Sequence, residues 1–323
     1  MIARSTPWDE IATPESDYNV RLIAGSSVIP MYWGKDTSGR CLFLIELEGD
    51  HSKIFQKNGT SLHGIDVDLR GGSASQLQGL VLTLENQVDR DLFSGLCETL
   101  VSNLQPVTDT STALAVALMH IKRWKAFLAG RKRRVLSPAE VRGLFAELQF
   151  LRVLYDGHLT QSEAVNAWCG PEGVHQDYIF EDTAVEIKSL SGRERNSVKI
   201  SSEDQLEALS SNLFLMIFRL TEQPDSDQSL SLNSLVTQIE QEMTDSHALE
   251  EFSMKLAANG YVEIREYDEP AFLVSGQKCY RVRDEFPRLV RSELPGGVIR
   301  VGYEIELESI LEFECVISEI WSG

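Results

Sequence analysis

Apolar and polar positions follow two periods along this chain, and the changes of period mark its elements. Across residues 1–90 the period is near two. Residues 18–23, 31–33, 41–45 and 80–84 read as strands, with a hairpin turn at Lys35-Asp36-Thr37-Ser38-Gly39. The period then lengthens. Leu92, Phe93, Leu96, Leu100 and Val101 line one face of a helix over 91–104, and a second helix spans 111–128. Ser137-Pro138-Ala139-Glu140 opens a third, to residue 155, with an N-cap, a proline in the first turn and a capping-box glutamate. A strand is expected at 163–168, a hairpin at 177–180 and 185–190, a helix at 201–211 and a strand at 213–220. After a polar stretch at 222–229 come helices at 233–242 and 247–258, the latter closed by Asn259-Gly260. Residues 261–264, 272–274, 279–282 and 299–307 read as strands. No repeat or low-complexity tract interrupts the order.

The hairpin around Glu181-Asp182-Thr183 carries the chemistry. A side-chain period of two puts Glu186 and Lys188 on one face and Val185 and Ile187 on the other. Asp177 starts the partner strand and can lie near them. Two carboxylates and an ammonium at one place suit a hard divalent cation with a charged group beside an attacking water.

Asp177 followed by Glu186-Ile187-Lys188, within the order of elements over 137–220, resembles the PD-(D/E)XK nuclease superfamily. In length and layout the chain is also similar to a bacterial family with this core between two additional regions. The resemblance implies a mixed α/β (α+β) fold, with a restriction-endonuclease-like α-β-β-β-α-β core. An antiparallel β subdomain would precede it and an α+β extension follow, giving regions 1–110, 111–221 and 222–323. It implies Mg²⁺ or Mn²⁺ held by Asp177, Glu186, the Ile187 carbonyl and Glu147 of the preceding helix. Lys188 would stabilise phosphate charge, and Gln205 would contact the lysine or the scissile phosphate. Gln176 stands where the motif has proline.

Composition narrows the field. The chain has 323 residues, 42% hydrophobic and 24% charged, the make-up of an ordinary globular protein. The first residues lack the apolar core of a signal peptide, and no long apolar run predicts a membrane helix. The five scattered cysteines show no Cys-X-X-Cys spacing, so reduced thiols and a cytoplasmic location are expected. There is no phosphate-binding Gly-X-X-X-X-Gly-Lys loop, hence no ATP motor, and the histidines show no metal spacing. His175 reads as a structural or exposed strand-entry residue.

A net charge of −19 argues against phosphate binding over the whole surface. Yet residues 121–134 hold seven basic residues and no acidic one: Lys122, Arg123, Lys125, Arg131, Lys132, Arg133 and Arg134. That stretch is a candidate nucleic-acid contact beside the site, or a solvated helix end. The expectation is a metal-dependent phosphodiesterase that cuts DNA with water as nucleophile, in restriction, defence or DNA processing. The alternative is a PD-(D/E)XK-fold module that binds nucleic acid or protein without cutting. Methyltransferase or helicase companions and a homodimer are compatible with either; a membrane is not expected.

Overall fold

The computed structural model describes residues 6–25, 28–59, 64–71, 77–85, 90–129, 135–172, 175–192, 196–207, 210–224 and 226–321. The chain divides into two compact units, residues 1–133 with 262–264, and 134–261 with 265–323.

The first unit is built on an antiparallel sheet of β1 (Tyr18–Leu22), β2 (Met31–Asp36), β3 (Cys41–Glu48), β4 (Ile65–Arg70) and β5 (Leu77–Leu84), in the order β1-β2-β3-β5-β4. The helices α1 (Ser52–Asn58), α2 (Arg90–Leu104) and α3 (Thr110–Ala129) accompany it. Strand β4 and helix α1 were not expected from the sequence. Trp8 is buried, stacks on Phe93 at 5.3 Å and donates its indole N–H to the Leu42 carbonyl at 2.7 Å.

The second unit opens with α4 (Pro138–Tyr155) and its Ser137–Glu140 capping box. The hairpin β6 (Tyr178–Phe180) and β7 (Thr183–Ser191) turns at Glu181, a non-glycine residue at φ 48°. Strands β8 (Ser197–Ile200) and β9 (Asn212–Glu222) follow, then α6 (Leu232–Glu242) and α7 (Ser246–Ala258). Strands β10 (Phe272–Val282), β11 (Tyr303–Glu306) and β12 (Glu314–Cys315) complete it. The main sheet runs β12-β10-β9-β7-β6, antiparallel except for the parallel β7–β9 pair, while β8 and β11 form a ribbon of their own. This is the α+β class expected, and it places β7 inside the sheet.

Five local expectations are corrected. Residues 163–168 are not a strand: α5 (Gln161–Ala167) starts there, with Thr160 and Glu163 forming a capping box. The helix expected at 201–211 is, among the described residues, a single 3-10 turn, Glu203–Leu206: Ser202 caps its start and Glu207 leaves it with extended backbone, φ −125° and ψ 109°. Residues 261–264 form no strand; the Glu263 carbonyl takes the Thr99 hydroxyl at 2.6 Å instead of a neighbouring strand's N–H. The stretches at 272–274 and 279–282 are one strand, β10, with a register shift between Val274 and Gly276. The strand at 299–307 contracts to β11, limited by the length of its partner β8.

Candidate active site

Strand β7 sets the site. Ala184, Glu186, Lys188 and Leu190 alternate with Val185, Ile187 and Ser189. Ala184 and Leu190 join a core with Val198, Ile200, Leu206, Ile305, Leu307 and Phe313. The charged face of the strand therefore lies under the β8–β11 ribbon and the segment that follows it. Glu147 of the preceding helix is expected to join the ion ligands on this face. The structure puts α4 on the opposite one: Tyr178 pairs with Val185, and its hydroxyl donates to the Glu147 carbonyl at 2.8 Å.

Extending the hairpin register by one pair sets Asp177 opposite Glu186. The Asp177 side chain closes the ladder by accepting the Ile187 N–H on Oδ2 at 2.8 Å. Its own carbonyl accepts the N–H groups of Cys169 at 2.8 Å and Gly170 at 3.1 Å. The residue is thus held from both sides.

Glu186 is inaccessible to solvent. Its Oε1 accepts the Lys188 ammonium, and the Gln205 amide at 2.7 Å. Its Oε2 is buried without a hydrogen-bond partner. A lone carboxylate oxygen in that state is costly and calls for a cation. Burial first, and the neighbouring Asp177 carboxylate second, push the Glu186 pKa far up; Lys188 pulls the other way. Burial also raises Asp177, against Lys188 and the Ile187 N–H. For Lys188, burial favours the neutral form but is outweighed by Glu186 and Asp177, so its pKa is raised and it stays an ammonium at neutral pH.

Glu147 enters from α4. Its Oε2 accepts the Trp168 indole N–H at 2.8 Å. Gly170 lies against both carboxylates: a Cβ there would sit 3.0 Å from Glu147 Oε2 and 3.3 Å from Asp177 Oδ1. The structure therefore brings together Asp177, Glu186, Lys188, Gln205 and, through Gly170, Glu147. Ile187 supplies backbone beside them.

Among the described residues, no group of three or more His, Cys, Asp or Glu side chains is spaced to hold one ion. Mg²⁺ does not need such a cage, since one or two carboxylates, waters and substrate oxygens suffice. The bare Glu186 oxygen and its repulsion with Asp177 fit a divalent ion at these two residues.

His175 is largely exposed, its Nδ1 3.8 Å from the Asp204 carboxylate. Lys122 and Lys125 are exposed on α3 of the first unit and Arg123 is half-buried. Arg131, Lys132, Arg133 and Arg134 lie outside the described residues. Sequence reasoning missed three contributors. Trp168 was read as a strand end, Gly170 carried no signal, and Gln176 was seen only as a departure from proline.

The described residues include no helix long and apolar enough to cross a membrane. All five cysteines are free. A family model described as "Putative PD-(D/E)XK family member, (DUF4420)" matches residues 5–308. No curated protein and no solved structure matches the chain.

Proposed function

Because the chain belongs to this PD-(D/E)XK family, we propose that it is a metal-dependent nuclease that hydrolyses phosphodiester bonds of DNA. The observation that carries the reading is the buried Glu186 carboxylate, one oxygen held by Lys188 and Gln205 and the other left bare opposite Asp177. Asp177, Glu186 and the Ile187 carbonyl would hold Mg²⁺ or Mn²⁺, with Glu147 close by. The ion supplies positive charge and Lewis acidity toward a phosphoryl oxygen.

The chain's own groups do the rest. Lys188 lies against Glu186 and serves as a charge donor. Its ammonium offsets charge that develops on the phosphate, and it can orient the attacking water by a hydrogen bond. Gln205 fixes the rotation of Glu186. Trp168 and Gly170 keep Glu147 and Asp177 at close approach. DNA would be gathered by Lys122, Arg123, Lys125 and the 131–134 basic run, with a steep salt dependence. A cytoplasmic restriction, defence or DNA-processing role, with a methyltransferase or helicase companion, suits this chemistry.

Purified protein should nick or cut plasmid DNA with Mg²⁺ or Mn²⁺ and stop on EDTA. Lys188→Ala should keep Mn²⁺ binding and slow single-turnover cleavage by about 10²–10³-fold, the usual loss for a transition-state charge donor. A wild type that binds Mn²⁺ but cleaves neither DNA nor RNA would move the conclusion to a non-cutting binding module.

A further inference from the structure

We infer that Gln176 is a positioning residue: it anchors the 202–207 turn so that Gln205 meets Glu186, a role shared with Arg291 from the C-terminal region. The inference rests on the nuclease reading for its purpose, but not for its geometry.

The turn that carries Gln205 is short, and a single 3-10 turn has little stability of its own. Its outward carbonyls need donors. Gln176 provides them. Its side chain is buried, and its amide nitrogen lies 2.8 Å from the Asp204 carbonyl, 3.0 Å from that of Glu207 and 3.3 Å from that of Gln205. One –NH₂ thus spans the turn from beneath. Proline at this position would have no such donor.

The C-terminal region grips the same turn from outside. Arg288 donates to the Leu206 carbonyl at 2.7 Å. Arg291 donates to Asp204 at 2.9 and 3.1 Å and pairs with Glu203 at 2.9 Å. The Val301 N–H reaches Glu203 Oε2 at 2.9 Å.

What leaves the turn on its inner side is the Gln205 amide. The Ser201 N–H holds its oxygen at 2.7 Å, which commits the nitrogen to Glu186 Oε1 at 2.7 Å. That bond and Lys188 both occupy Oε1, so Oε2 is the oxygen presented to an ion. Gln176 hydrogen-bonds the backbone of the turn, and it acts through Gln205.

A double-mutant cycle tests this. Gln176→Ala, Gln205→Ala and the double variant are made in the full chain, and Mn²⁺ affinity is read by isothermal titration. The Gln205 side-chain amide resonances, assigned by their loss in Gln205→Ala, are read by ¹⁵N spectroscopy. Either single change should weaken Mn²⁺ about tenfold, and the double change should be no worse than twofold beyond the stronger single. In Gln176→Ala the Gln205 amide should move to the position of a solvent-exposed glutamine. Fully additive losses, or Gln205 resonances unmoved by Gln176→Ala, overturn the inference. If Gln176→Ala does not fold, Arg291→Ala carries the same cycle, with its exposed side chain making loss of fold a remote outcome. A wild type that binds no Mn²⁺ defeats the nuclease reading and leaves the amide resonances to decide the positioning role.

Discussion

The two five-stranded sheets of this protein treat charge in opposite ways. In the first unit the buried positions of β3 are Cys41 to Ile45 and Leu47, all apolar, while Glu46 is only half-buried and Glu48 is exposed. Its neighbour β5 buries Leu80, Val81 and Leu82 beside it. In the second unit β7 has the same strand character, yet Glu186 is wholly buried, with Lys188 half-buried beside it. The first sheet gains stability wherever it buries area. The second takes a carboxylate out of water beside another carboxylate, which costs stability until a cation arrives. The contrast is between an apolar sheet and one that carries a buried carboxylate at a cost in stability.

The sharpest way to break it is Glu186→Gln. The amide keeps an oxygen for Lys188 and Gln205 but removes the charge that an ion needs. Cleavage should fall by about 10³-fold or more, the scale of losing a central electrostatic group. At the same time Tm of the metal-free protein should rise by a few degrees, measured by calorimetry. A fall in Tm would show that Glu186 is a structural partner of Lys188 and not a stored cost.

The first sheet should respond in the opposite sense. Phe43→Ala removes a fully buried ring from β3 and should cost about 3–5 kcal/mol. Denaturant titration checks it. A loss under about 1 kcal/mol would show a sheet that does not rely on its apolar strands.

A smaller effect is expected from Gly170→Ala. The new methyl group would crowd Glu147 Oε2 and Asp177 Oδ1, so Mn²⁺ affinity should drop by about tenfold with Tm changed little. An unchanged titration would place the ion away from these two oxygens.

The smallest effect is a pH trend. Asp177 and Glu186 both have folded pKa values above their unfolded ones. Their contribution to metal-free stability is therefore present in acid, and is lost as pH rises from about 4 through the raised values. An ion prefers the ionised pair, so the Tm gain on adding Mn²⁺ should grow across that same range. A gain that is flat with pH would uncouple the ion from the carboxylates.

Much of this was legible in the chain because it is local. The capping box at Ser137 and Glu140 needs four consecutive residues, and it starts α4 where expected. The same signal at Thr160 and Glu163 starts α5, where the short apolar run of Ala164 and Val165 suits a strand as well as a helix. The 202–207 turn was harder. Its conformation depends on Gln176 and on arginines more than eighty residues further along, which no local pattern records.

By itself, then, the sequence determined that Glu186 and Lys188 share a face of a strand, with Asp177 across the hairpin, because a period of two and a tight turn are properties of neighbouring residues. Only the tertiary structure decided that this face is buried, that Glu186 keeps one oxygen bare, and how Gln205 and Glu147, which the resemblance brings to the site, are held there. Those features are set by β8, β11, Trp168 and the 288–301 segment, and burial is a property of what packs on a strand rather than of the strand's own residues.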